Sequence, residues 1–359
     1  MKSTALRRFA LALVASLSGR VEAHPTADLT VQAGYHVIHS YPGLSPPASL
    51  LTLTEKGKVG GIILFGENVG SNLSAVIASF QTAYSKSPAY SGSPLLIMTD
   101  QEGGEVRRLS GGPDLSAKEI GESADPTSAA TLAGQQAAST LSASGVNCNL
   151  APVLDVFRQE GNFIDEYQRS FGNTSALVSE CGAAWITSQQ AAGVIATSKH
   201  FPGLGDATTS EDTDVEPVTI NLTLDQLRSV DEVPYKSAIA AGLDMVMASW
   251  ALYPALDATY PSGLSTSWIQ GELRQRLGFT GVTITDAIEA GALGAFGNDA
   301  NRGVLASKAG MDLLLASARN ATQGEAIVDA LVAALNDGTL DQTTFAAGTQ
   351  RIINLRGKL

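Results

Sequence analysis

The chain has 359 residues, 44% of them hydrophobic, and its 23 Lys and Arg against 35 Asp and Glu give a formal charge of −12. That is ample apolar material for one large core, and the acidic balance argues against nucleic acid or other polyanions as partners. Two cysteines, Cys148 and Cys181, allow one disulfide or two buried free thiols, and the four histidines show no paired metal-ligand spacing.

At the N-terminus, Lys2, Arg7 and Arg8 precede an apolar run over 9–17, and Val21-Glu22-Ala23 offers a small-residue cleavage signal. This pattern predicts a secretory signal peptide over 1–23, because the run is too short to span a bilayer. Its removal takes away four basic residues and one acidic residue, so the remaining domain, 24–359, carries a formal charge of −15. No later segment is apolar for long enough to insert into a membrane, so a secreted, extracellular protein is expected. Asn72-Leu-Ser, Asn173-Thr-Ser, Asn221-Leu-Thr and Asn320-Ala-Thr match the N-glycosylation acceptor and favour a secreted glycoprotein.

Along the remaining chain, short apolar runs recur over 35–40, 61–65, 95–99, 146–150, 194–198, 244–248, 282–285 and 311–315. Several begin just after a glycine (Gly60, Gly145, Gly193, Gly242, Gly281, Gly310), as when a helix stops at glycine and a buried strand follows. Between the runs lie Ala-rich stretches with helical spacing, including 126–144, 175–192, 223–241, 265–277 and 324–336. Asp125-Pro126 and Ser265 read as capped helix starts. Eight strand–helix units without a Pro- or Ser-rich linker predict a single-domain α/β fold, a (β/α)8 TIM-type barrel. The competing open, doubly wound sheet would be expected to carry a GxGxxG or Walker loop after a strand, and none is present.

Charged residues gather where these strands end. The third run closes on Asp100-Gln-Glu-Gly-Gly and then Arg107-Arg108; the fourth leads into Asp155 and, further on, Arg169-Ser-Phe-Gly. The fifth closes on Lys199-His200 and a loop rich in carboxylates, Asp206 to Asp214, and the seventh closes on Asp286. Burying Lys beside His costs free energy unless polar groups meet them, so these ends suit a ligand better than a core. In a barrel of this type they all fall on the C-terminal rim, where active sites are built. Asp155 reads either as an orienting group behind the site or as a cap for its loop. A GxSxG elbow and an HExxH helix are both missing, which disfavours a serine hydrolase or a zinc enzyme. Carboxylates with hydroxyl-binding cations suit glycoside cleavage, in which one carboxylate attacks the anomeric carbon and another group protonates the departing oxygen.

In this order, Asp100-Gln-Glu-Gly-Gly, Arg169-Ser-Phe-Gly, Lys199-His-Phe-Pro-Gly and Thr285-Asp286 resemble the family 3 glycoside hydrolases, and most of all their single-domain β-N-acetylglucosaminidase branch. The resemblance covers nearly the whole domain and implies a barrel without the second domain of the β-glucosidase members. It implies Asp286 as the nucleophile of a retaining mechanism, with Asp100, Arg108, Arg169, Lys199, His200 and Met247 binding the terminal sugar. It implies no metal or organic cofactor and a carbohydrate substrate. The branch usually supplies its acid/base histidine from an Asp-Ser-His in the loop after Lys-His-Phe-Pro-Gly, and here that loop contains no histidine. Asp214, then Asp212 or Glu211, are the substitute proton donors. Two other readings use the same residues: a barrel that binds sugar without cleaving it, and a β-glucosidase without its second domain.

Overall fold

The computed structural model describes residues 28–359. The leader segment read over 1–23 lies outside the described residues. The eight apolar runs all become strands. In chain order the strands are β1 (Val37–His39), β2 (Gly61–Ile63), β3 (Leu96–Thr99), β4 (Gln101–Gly103), β5 (Val106–Arg107), β6 (Cys148–Asn149), β7 (Ile195–Phe201), β8 (Met245–Ala248), β9 (Val282–Ala287) and β10 (Leu313–Leu315). All but β4 and β5 join one closed parallel barrel, in the order β1-β10-β9-β8-β7-β6-β3-β2. Closure is made by β1 on β10, with Val37 opposite Leu314. The fold is therefore the expected single-domain (β/α)8 barrel.

Strands enclosed on both faces read as continuous apolar stretches, and the packing shows why. One buried cluster takes a residue from every barrel strand: Ile38, Ile62, Ile97, Cys148, Ile195, Met245, Ile284 and Leu313. The surrounding helices include Pro126–Ser144, Ser175–Ala191 and Ala321–Asn336. Local chemistry starts and stops them as expected. Asp125 accepts the Ser128 N–H ahead of Pro126, and the helix ends on left-handed Gly145 at φ 88°. The stretch 223–241 is not one regular helix: it begins at the Thr223 cap, widens into a π-helical turn over Leu227–Asp231 and restarts at Val233–Ala240. Pro234, which has no N–H to donate, sits in the first turn of the restarted segment.

Two departures from the sequence reading bear on the site. First, β7 runs past the apolar stretch through Lys199 and His200, so these residues belong to the strand itself. The register of β7 with β8 shifts between Ser198 and Phe201. Second, the segment after Asp100 is an antiparallel hairpin, β4–β5. Gly103 (φ 99°) closes β4 and Gly104 (φ 54°) opens the turn. A Cβ at Gly103 would fall 2.3 Å from the Leu115 carbonyl oxygen, so that position requires glycine. Among the described residues, no helix is long and apolar enough to cross a membrane.

The cysteines are both free and buried. Cys148 lies on β6, while Cys181 lies in the helix Ser175–Ala191 and packs in a different cluster. Burial pushes both thiols up to about 12. Titration with a thiol reagent should therefore find both cysteines only after denaturation, and reductant should leave the melting temperature unchanged. A reductant-dependent drop in that temperature would show that the two sulfurs pair.

Candidate active site

The C-terminal strand ends open into a cavity of about 520 Å³. Asp100, Arg108, Arg169, Lys199, His200, Asp212, Asp214, Met247 and Asp286 all line it, so residues from six separate stretches of the sequence share one chamber. Glu211 is elsewhere: its carboxylate turns back on its own loop and accepts the Thr208 N–H at 2.7 Å.

The hairpin following β3 explains half of this arrangement. Along an extended chain alternate side chains share a side, and Asp100 and Glu102 both reach the cavity while Gln101 turns away from it. The buried Gln101 staples the hairpin, its Oε1 accepting the Arg108 and Leu109 N–H groups and its Nε2 donating to the Leu109 and Gly112 carbonyls. Lys199 Nζ then lies 2.8 Å from Asp100 Oδ1 and 2.8 Å from Glu102 Oε1. Arg169 forks onto the same Glu102 through Nε and Nη2, both at 2.9 Å. Arg108 approaches Asp100 Oδ2 at 3.8 Å.

Sequence reasoning named Asp100 and passed over Glu102, although the two-residue spacing was a usable cue. Burial alone would raise the Glu102 carboxyl, but Arg169 and Lys199 outweigh it and hold that group below the ordinary glutamate range. Burial likewise works against the charge on Lys199, yet Asp100 and Glu102 raise its ammonium above the usual lysine value. Each charge is thus retained by the others.

Asp155 does not line the cavity. It lies fully buried behind His200 and combines the two roles left open from the sequence. Its Oδ2 is 2.7 Å from His200 Nδ1. Its Oδ1 accepts the His200 and Leu204 N–H groups at 3.2 and 2.7 Å. Asp155 therefore orients the imidazole and fixes the start of the following loop.

That loop crosses toward β9. Gly291 N–H donates to the Asp214 carbonyl at 2.8 Å, and Ala292 N–H donates to that of Thr213 at 3.1 Å. A Cβ on Gly291 would lie 2.0 Å from the Val215 carbonyl oxygen, so glycine allows the two segments to meet. Asp212 Oδ1 accepts the Asp214 N–H at 2.9 Å. Asp286 Oδ1 accepts the Ala287 N–H at 2.8 Å. The Asp214 side chain is accessible at the cavity mouth, yet protein atoms displace much of the bulk water around it. This partial desolvation, with the carboxylates of Asp286, Asp212 and Glu289, pushes its pKa up to about 6 against the opposing effect of His200.

Glu289 is a second lining residue that the sequence reading missed. Ser317 donates to it through Oγ at 2.6 Å and through its backbone N–H at 3.2 Å, and Gln323 Nε2 donates at 2.9 Å. On the β3–β7 side the cations Lys199, Arg169 and Arg108 are interleaved with the carboxylates of Asp100 and Glu102, whereas Asp212, Asp214, Asp286 and Glu289 gather toward β9. Among the described residues, no group of three or more His, Cys, Asp or Glu side chains is arranged to hold a metal ion.

Comparison with known proteins agrees with this geometry. The profile of the glycosyl hydrolase family 3 N terminal domain matches residues 42–355. An uncharacterized secreted glycosyl hydrolase of Arthroderma benhamiae is 59% identical over 332 residues, covering 92% of this chain and 94% of that relative. A beta-hexosaminidase of Stenotrophomonas maltophilia is 37% identical over 307 residues, covering 79% of this chain and 85% of its own length. Among solved structures, a family 3 beta-N-acetylglucosaminidase of Paenibacillus sp. superposes with a TM-score of 0.86 at 34% identity over 92% of this chain, which spans 62% of that larger protein. The barrel, the convergence of charge at its mouth and the match along nearly the whole described chain lead to one assignment: this protein belongs to glycosyl hydrolase family 3.

Proposed function

We propose that this glycoside hydrolase is a secreted, retaining exo-enzyme that releases terminal β-linked N-acetylglucosamine or a closely related β-hexoside. The observation that carries the reading is the pairing of Asp286 with the raised carboxyl of Asp214 across from the Lys199–Arg169 side of one chamber. The relatives named beta-hexosaminidase and beta-N-acetylglucosaminidase support the choice of sugar.

In the first step an Asp286 carboxylate oxygen bonds to the anomeric carbon while the glycosidic C–O bond breaks. Asp214, protonated, gives its proton to the departing oxygen. Asp214 is now a carboxylate and takes a proton from water, whose oxygen attacks the anomeric carbon and frees Asp286. Asp100, Arg108, Arg169, Lys199 and His200 hold the hydroxyls of the terminal sugar, and Met247 lies against it. Preorganised cations of this kind cost no reorganisation when charge develops in the transition state. Asp214 takes the role that a histidine plays elsewhere in the family, and its raised pKa suits it to proton transfer near neutral pH. Asp212, whose carboxylate accepts the Asp214 backbone N–H, holds that residue at the mouth. Passage through an oxidising secretory route also fits the sequence of 1–23 and the four exposed acceptors Asn72, Asn173, Asn221 and Asn320.

Replacing Asp286 by Ala should abolish release of p-nitrophenol from p-nitrophenyl β-N-acetylglucosaminide; turnover at the wild-type rate would refute the assignment. Asp214→Asn should cost about 10²–10⁴-fold on substrates with poor leaving groups and far less on nitrophenyl glycosides. For the wild type, kcat/KM on poor leaving groups should fall as pH rises through about 6, because the acid must carry its proton, and Asp214→Asn should remove that limb. Glu102→Gln takes away the shared counter-charge of Lys199 and Arg169. A rise in KM of about tenfold or more is expected, and an unchanged KM would show that Glu102 does not position them.

A further inference from the structure

The scheme above leaves one aromatic wall of the chamber without a task. Phe163 and Tyr167 line it, with ring centroids 6.5 Å apart and their planes edge to face. Tyr167 keeps 47% of its surface exposed, although the loop that bears it is tied down on several sides. The buried Asp165 pairs with Lys118 at 2.8 Å and accepts the Gly161 N–H at 2.7 Å. Gln168 N–H donates to the Asp165 carbonyl at 2.8 Å, and Arg169 N–H donates to that of Ile164 at 3.1 Å. The loop that aims Arg169 into the chamber therefore also fixes Tyr167 at its mouth.

Four barrel strands away, after β10, Arg319 lays its guanidinium 4.1 Å from the centroid of Phe65 and pairs with Glu67 at 2.7 Å. Arg319 holds a left-handed backbone at φ 56° that non-glycine residues seldom adopt, and its N–H donates to Ser40 Oγ at 2.8 Å. Both Phe65 and Arg319 line the same chamber as Tyr167. The outer mouth is thus flanked by an aromatic face on one side and a flat, stacked guanidinium on the other. A pyranose presents apolar C–H faces and a rim of hydroxyls. An aromatic face covers the former, and the fork of an arginine meets the latter.

We propose that Tyr167 and the Arg319–Phe65 stack form a subsite for the sugar on the leaving-group side of the scissile bond, so that the natural substrate is a β-linked oligosaccharide rather than a glycoside of a small alcohol. The inference rests on the catalytic reading above, in which the terminal sugar occupies the charged inner chamber and the rest of the substrate points outward. It adds which chemical class departs and which residues select it. Aromatic side chains, with only two rotatable bonds, contribute contact area at little loss of side-chain freedom, which is how a few residues come to dominate a binding surface.

The test compares two substrates in one enzyme: the β-linked N-acetylglucosamine disaccharide, and β-N-acetylglucosaminyl fluoride, whose departing group has no ring. Tyr167→Ala should lower the ratio of kcat/KM for disaccharide over fluoride about tenfold, and Tyr167→Phe should keep it near the wild-type value. Arg319→Ala should lower the same ratio independently. A ratio unchanged in both alanine variants, or equal losses on the two substrates, would overturn the proposal. Wild-type turnover of the fluoride reports on the catalytic reading separately, since that step involves only the terminal sugar.

Discussion

Glu102 holds two cations in place at once, and the geometry of the chamber follows from that contact. One carboxylate, almost fully buried, binds Arg169 through two parallel hydrogen bonds and Lys199 through a third. Asp100 closes the group from the other side of Lys199. Taking any of these charges from water alone would be costly. Together they stay ionised, and they join a loop after β6, the end of β7 and the hairpin after β3 into one rigid wall. That wall is ordered before any ligand enters, which leaves little reorganisation to perform.

Asp155 has the corresponding role a layer deeper. A carboxylate that accepts two backbone N–H groups and faces an imidazole nitrogen fixes both the rotamer of His200 and the exit of the chain from β7. That exit determines where the acidic loop travels, and its docking on Gly291 and Ala292 brings Asp214 beside the segment that follows Asp286. There Asp214, partly stripped of water and crowded by other carboxylates, has its pKa pushed up to about 6.

Much of this was readable in the chain because buried parallel strands announce themselves as apolar runs that follow a glycine. All eight runs became barrel strands, and the charged ends met on one rim. The readings that failed did so for local reasons. The β4–β5 hairpin is short, and most of its residues are charged, polar or glycine, so it has none of the apolar signal that marks the barrel strands. Glu102 was hidden with it. Lys199 and His200 read as a strand terminus because the sequence pattern carries no sign of the partners that let a strand continue through them. Glu289, Tyr167 and Arg319 were missed because nothing in their neighbours distinguishes a rim side chain from a solvated one. Their place became visible only when segments distant in sequence closed around the same space.

The central claim is that the Asp286 carboxylate comes within covalent reach of a bound sugar. The most direct measurement is peptide mass spectrometry after incubation with 5-fluoro-β-N-acetylglucosaminyl fluoride, which forms a glycosyl-enzyme but releases it slowly. The account predicts one added fluorosugar on the peptide that contains Asp286. A label on any other carboxylate, or active enzyme that hydrolyses substrate and never acquires a label, would contradict it.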